Sequence, residues 1–142
     1  MKNKKWAIFV IVTLIIVSLT GCFGSNKNND FSEISKSLAQ HSNQLNDEQG
    51  VTLVGYAADQ KENVFKIGIG YDSTLTEERL TKVINDYLSN SLSAIQESDW
   101  HQRLTPYNLI IERIGEVKSN FPIIAHKNEG ESDLTWVKTE DN

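Results

Sequence analysis

One change of hydrophobic period constrains this chain more than any other feature. From Asn63 to Asp72 (NVFKIGIGYD) the apolar residues alternate, with Phe65, Ile67, Ile69 and Tyr71 on one side and Lys66, Gly68, Gly70 and Asp72 on the other. A period of two with one apolar face specifies a half-buried strand. From Thr76 to Glu97 the spacing switches to three and four: Leu80, Val83, Ile84, Tyr87, Leu88, Leu92 and Ile95 form one continuous helical face. Thr76 is a candidate N-cap with Leu75 stapling onto Leu80, and Thr74 with Glu77 offers a competing capping box. Glu77 and Glu78 in the first turn suit the helix dipole. A helix of this length spans about 33 Å at ~1.5 Å per residue, and a ten-residue strand spans nearly as much. The helix can therefore lie along the sheet and bury both apolar faces together.

The other elements follow the same logic. Val51 to Ala58 (VTLVGYAA) is β-branched and apolar, and pairs with 63–72 as an expected antiparallel hairpin across Asp59 to Glu62. Tyr107 to Arg113 reads as a third strand, and Asn120 to His126 with Asp133 to Lys138 as a second hairpin. Pro122 cannot donate to a ladder, which places it at an edge or a strand start. Phe31, Ile34, Leu38 and Leu45 form a narrow helical stripe, docked on the domain or serving as a stalk. The segment from Trp100 to Pro106 is expected to be a linker. The order α-β-β-α-β-β-β, with the long helix on one face of a mainly antiparallel sheet, is the α+β class.

The N-terminus carries a different kind of signal. Lys2, Lys4 and Lys5 precede an apolar run from Trp6 to Leu19, broken by Thr13 and Ser18. This is the layout of an export signal, and it is short for a bilayer span of about 20 residues. An uncleaved anchor is the alternative, since the run can be counted on to Phe23. The only cysteine follows, at Leu19-Thr20-Gly21-Cys22. This motif resembles the lipobox of bacterial lipoproteins. The resemblance covers residues 1–22 and implies cleavage between Gly21 and Cys22, with a diacylglycerol joined to the Cys22 thiol. In layout the chain also looks like the small cell-surface lipoproteins of Gram-positive bacteria. No second cysteine exists to make a disulfide. The expected organisation is a signal peptide over 1–21, a lipidated cysteine and flexible tether over 22–30, an amphipathic helix over 31–49 and an α+β domain over 50–142.

Loss of residues 1–21 removes three of the 14 basic residues against 19 acidic ones, leaving a formal charge of about −8. Such a chain has no basic block for nucleic acid and no polybasic patch for anionic lipid, so the acyl chains must hold it at the membrane. Motifs for chemistry are sparse. His41, His101 and His126 lack a partner at metal-ligand spacing. Gly68-Ile69-Gly70 sits inside a strand pattern and lacks a third glycine, so it reads as a bulge or a close approach of another backbone. No GxSxG or Ser-x-x-Lys motif is present.

No enzyme activity, cofactor or metal is expected. Trp100, His101, Tyr107 and Trp136 are the candidate interface residues, with Trp100-His101 expected to be exposed; the competing role for the aromatics is to finish the core at the end of the sheet. The functional expectation is a membrane-anchored extracytoplasmic binding module acting on another envelope protein. The alternatives are a receptor for a small ligand or wall fragment, and a wall-active hydrolase.

Overall fold

The structure, a computed structural model, describes residues 27–95, 99–115 and 121–138. Helix α1 (Lys27–Asn46) is followed by β1 (Val51–Asp59), β2 (Val64–Tyr71), α2 (Glu77–Ser93), α3 (Trp100–Leu104), β3 (Asn108–Arg113), β4 (Ile123–Lys127) and β5 (Thr135–Trp136). The five strands form one sheet in chain order, β1-β2-β3-β4-β5. Only β2 and β3 pair in parallel, from Val64 opposite Asn108 to Ile69 opposite Arg113. The remaining pairs are antiparallel. The parallel pair follows from its connection, because two strands running the same way need a long crossover, and α2 with α3 supplies it. The fold is α+β, with a mainly antiparallel sheet as the alternating patterns implied.

The two periodic segments meet as their spacing requires. Phe65, Ile67 and Ile69 of β2, with Leu109 and Ile111 of β3, are at most 1% exposed, in one core with Leu80, Ile84, Leu88 and Leu92 of α2. Thr76 caps α2, its Oγ1 accepting from the Arg79 amide at 3.4 Å. Thr74 is engaged elsewhere, its hydroxyl donating to Asp72 Oδ1 at 2.5 Å, so the competing capping box does not form.

Helix α1 is docked. Phe31, Ile34, Leu38 and Leu45 are 0–5% exposed, and α1 packs on both β1 and α2. Its seam with α2 is partly polar. The Tyr87 hydroxyl donates to Leu38 O at 2.7 Å, and Ser37 Oγ donates to Ser91 O at 2.6 Å. These hydroxyls are buried with their bonds made, which avoids the cost of an unsatisfied donor. Burial raises the pKa of Tyr87 and keeps that phenol in its donating form.

Three boundaries differ from the sequence reading. The helix starts at Lys27, inside the expected tether over 22–30. Its first turn is held by tertiary contacts: Asp30 pairs with Arg103 at 2.6 Å and accepts from the Tyr107 hydroxyl at 2.9 Å. The expected linker from Trp100 to Pro106 contains α3, capped by the Asp99 side chain on the His101 amide. Five residues are too few to display a period. Helix α2 ends at Ser93, short of the expected Glu97.

Candidate functional site

The sheet has two unlike faces. On the side away from the core, β1 presents Leu53, Gly55 and Ala57, β2 presents Lys66, Gly68 and Gly70, and β3 continues through Glu112 into Ile114. Leu53 is 48%, Phe121 45% and Ile123 43% exposed.

The glycines shape this surface. Gly55 lies opposite Gly68 across the β1–β2 ladder. A Cβ on Gly68 would stand 2.9 Å from both Cδ1 and Cγ2 of Ile114, and one on Gly70 would stand 2.9 Å from Ile114 O. The Gly-Ile-Gly stretch is thus the site of close approach that its position in a strand pattern indicated, with a register shift between Val51 and Leu53 on the facing strand. Ile114 lies in the trough that the missing side chains leave.

Around Ile114 runs an open groove. One part, of about 460 Å³, is lined by Leu53, Ala57, Lys66, Glu112 and Phe121. The next, of about 580 Å³, is lined by Thr52, Tyr71, Asp72, Arg113 and Pro122. Both share Leu53, Ile114 and Gly115 and so run into one another. The Arg113 guanidinium sits 4.4 Å from the centre of the Tyr71 ring and donates to Tyr71 O at 3.4 Å. Bonds from the Thr74 hydroxyl and amide hold the Asp72 carboxyl below the usual carboxylate range, so it is ionised at neutral pH. The groove combines apolar side chains with the charged Lys66, Asp72, Glu112 and Arg113. It can bury apolar side chains of a ligand and orient polar ones.

Strand β1 borders the groove and, among the described residues, has a strand neighbour on one side only. Its nine residues form a long edge, the kind of edge that can accept an added strand.

The residues singled out from sequence lie elsewhere. Trp100 is 4% and Tyr107 1% exposed, both in the core. Trp100 is therefore not the exposed linker residue expected; α3 turns it inward, where it stacks on the His101 ring at 3.7 Å. Tyr107 packs edge-on against Phe31 and Phe65. Burial and its bond to Asp30 raise its pKa. His101 is partly exposed, its Nδ1 3.1 Å from Asp133 Oδ1 and from Ser132 O. Trp136 is half-buried against the core, beside Tyr71, Leu80 and Ile124 in a cleft of about 260 Å³. The four are not brought together on one surface. Gly21 and Cys22 lie outside the described residues. Of the groove residues, the glycine pair and Pro122 carried a readable signal, the first for a close approach and the second for the start of β4.

The three histidines fall on α1, α3 and β4. Among the described residues no group of three or more His, Cys, Asp or Glu could hold a metal ion, and no helix is long and apolar enough to cross a membrane. No family model, curated protein or solved structure matches this chain.

Proposed function

We propose that this protein is a lipoprotein of the bacterial envelope, anchored to the outer face of the cell membrane through a diacylglycerol on Cys22. Its domain acts by binding another envelope protein. The anchoring half rests on the motif Leu19-Thr20-Gly21-Cys22 after a basic and then apolar N-terminus. One buried acyl chain holds a protein only marginally, whereas two anchor it stably.

The binding half rests on one observation: the outer sheet face keeps Leu53, Phe121 and Ile123 nearly half exposed beside a nine-residue edge that no other described strand pairs. Confinement to the membrane plane raises the effective concentration of such a surface near membrane partners. A second reading, a receptor for a wall fragment, draws on the groove of about 580 Å³, within the ~300–1,000 Å³ of ligand sites. The groove's openness favours the first reading, because ligand sites enclose most of their ligand.

The test is a photo-crosslinking residue placed at Leu53 in the full chain in cells, compared with one at exposed Ser93 on α2. Specific envelope-protein adducts from Leu53, lost in a Cys22→Ser background, are expected. Equal adducts from both positions, or adducts unaffected by Cys22→Ser, count against the reading.

A further inference from the structure

The described residues divide into two ends, and the chain enters at only one of them. The first turn of α1 is clasped where β2 and β3 begin: Asp30 meets Arg103 and Tyr107, and Phe31 stacks on Phe65 with ring centres 4.5 Å apart. The same end holds the β1–β2 turn and the β4–β5 connection. Asn108 N donates to Asn63 O at 2.8 Å, and Gly130 N donates to Thr105 O at 2.7 Å. Lys127 Nζ, buried, donates to the carbonyls of Tyr107, Asn128 and Glu131. This end is knit together by buried and backbone bonds, so α1 cannot swing on it freely.

The opposite end lies a full strand away, where β2 stops at Tyr71 and the chain passes through Asp72 to Thr76. Arg113 and Asp72 are there, as is the larger part of the groove. Eight strand residues at about 3.3 Å each separate the ends by roughly 25 Å.

Cys22 precedes Lys27 by five residues, which reach at most about 18 Å in any conformation. On the proposed lipid anchoring, on which this inference depends, the clasped end is therefore pinned close to the bilayer. A net charge near −8 gives the domain as a whole no attraction for an anionic leaflet, so the covalent attachment is the constraint that sets which end lies nearest the lipid. We infer that the domain stands on the membrane on the end formed by residues 59–63, 105–108 and 128–133. The groove around Ile114 then opens sideways and away from the lipid. The partner it fits is the extramembrane part of an envelope protein, an exposed loop or a soluble domain, and not a helix within the bilayer.

The test uses the mature, lipidated protein in phosphatidylethanolamine–phosphatidylglycerol vesicles carrying a headgroup nitroxide quencher. Lipidation occupies the only native thiol, so Lys61→Cys and Ser73→Cys each take a single dye at exposed positions of opposite ends. Several-fold stronger quenching at position 61 than at 73 is expected. Equal or reversed quenching in protein shown by mass to carry the lipid overturns the orientation and leaves the anchoring standing. A bare thiol at Cys22, with no flotation on the vesicles, overturns both.

Discussion

The inner and outer faces of this sheet are built from alternate residues of the same strands, yet they follow opposite rules. Inward, Phe65, Ile67 and Ile69 are at most 1% exposed against two helices. Outward, the intervening positions of the same strand are Lys66, Gly68 and Gly70. The inner face gains stability from burying large side chains. The outer face omits side chains so that Ile114 can lie close to the backbone. One face thus carries the fold, and the other is free to carry an interaction.

The largest expected effect lies inside. Leu88→Ala, at a site with 0% exposure, should cost about 2–5 kcal/mol in denaturant unfolding. Leu53→Ala should move stability by no more than about 0.5 kcal/mol while lowering envelope-protein crosslinking from a photo-reactive residue at Ile123 on the same face. An equal loss of stability at both positions would erase the distinction between the faces.

Gly68→Val probes the seam between the two. The added side chain collides with Ile114, already 2.9 Å from where a Cβ would sit, and should cost about 1–3 kcal/mol. A double variant with Ile114→Ala should recover part of that loss, and its failure to do so would remove Ile114 as the cause.

Arg103→Ala should cost about 1.5–3 kcal/mol, the worth of a hydrogen bond to a charged group, since it removes the ion pair with Asp30 and leaves that carboxylate only the Tyr107 hydroxyl, in a site where Arg103 is 17% exposed. Faster hydrogen exchange should be confined to the first turn of α1. Uniform acceleration across α1 would show that the apolar stripe does not hold the rest of the helix independently.

The smallest effect is on acid stability. Asp72 is held below its ordinary range chiefly by the Thr74 hydroxyl, and Glu131 by the Asn128 amide. A depressed carboxylate stabilises the fold above its unfolded pKa, and that contribution is lost as pH falls through the folded value. Stability should therefore be flat above about pH 5 and decline below about pH 4. Asp72→Asn and Glu131→Gln should each make the decline shallower, as measured by unfolding midpoints against pH.

Legibility in the sequence tracked the length and regularity of each element. Segment 63–72 and the face from Leu80 to Leu92 announced themselves because each repeats its period several times. The five residues of α3 could not, although Asp99 was a cap in plain view. The docking of α1 was hidden for another reason. Its apolar stripe was visible, but the contacts that pin it involve serines and tyrosines distant in sequence, such as Ser37 with Ser91 and Tyr56 with Ser35. The same distance misplaced the aromatic candidates. Nothing near Trp100 or Tyr107 in the chain reveals that Phe31 and Phe65 close around one and α3 buries the other.

The sequence by itself determined the elements with regular period, the α+β class and the expectation of an exported, lipid-modified chain, because these depend on neighbours along the backbone. Tertiary structure decided the parallel pairing of β2 with β3, the seating of α1 and which aromatics are hidden. Those outcomes depend on groups tens of residues apart meeting across a core, where burial and hydrogen-bond satisfaction select among arrangements that local pattern leaves equal.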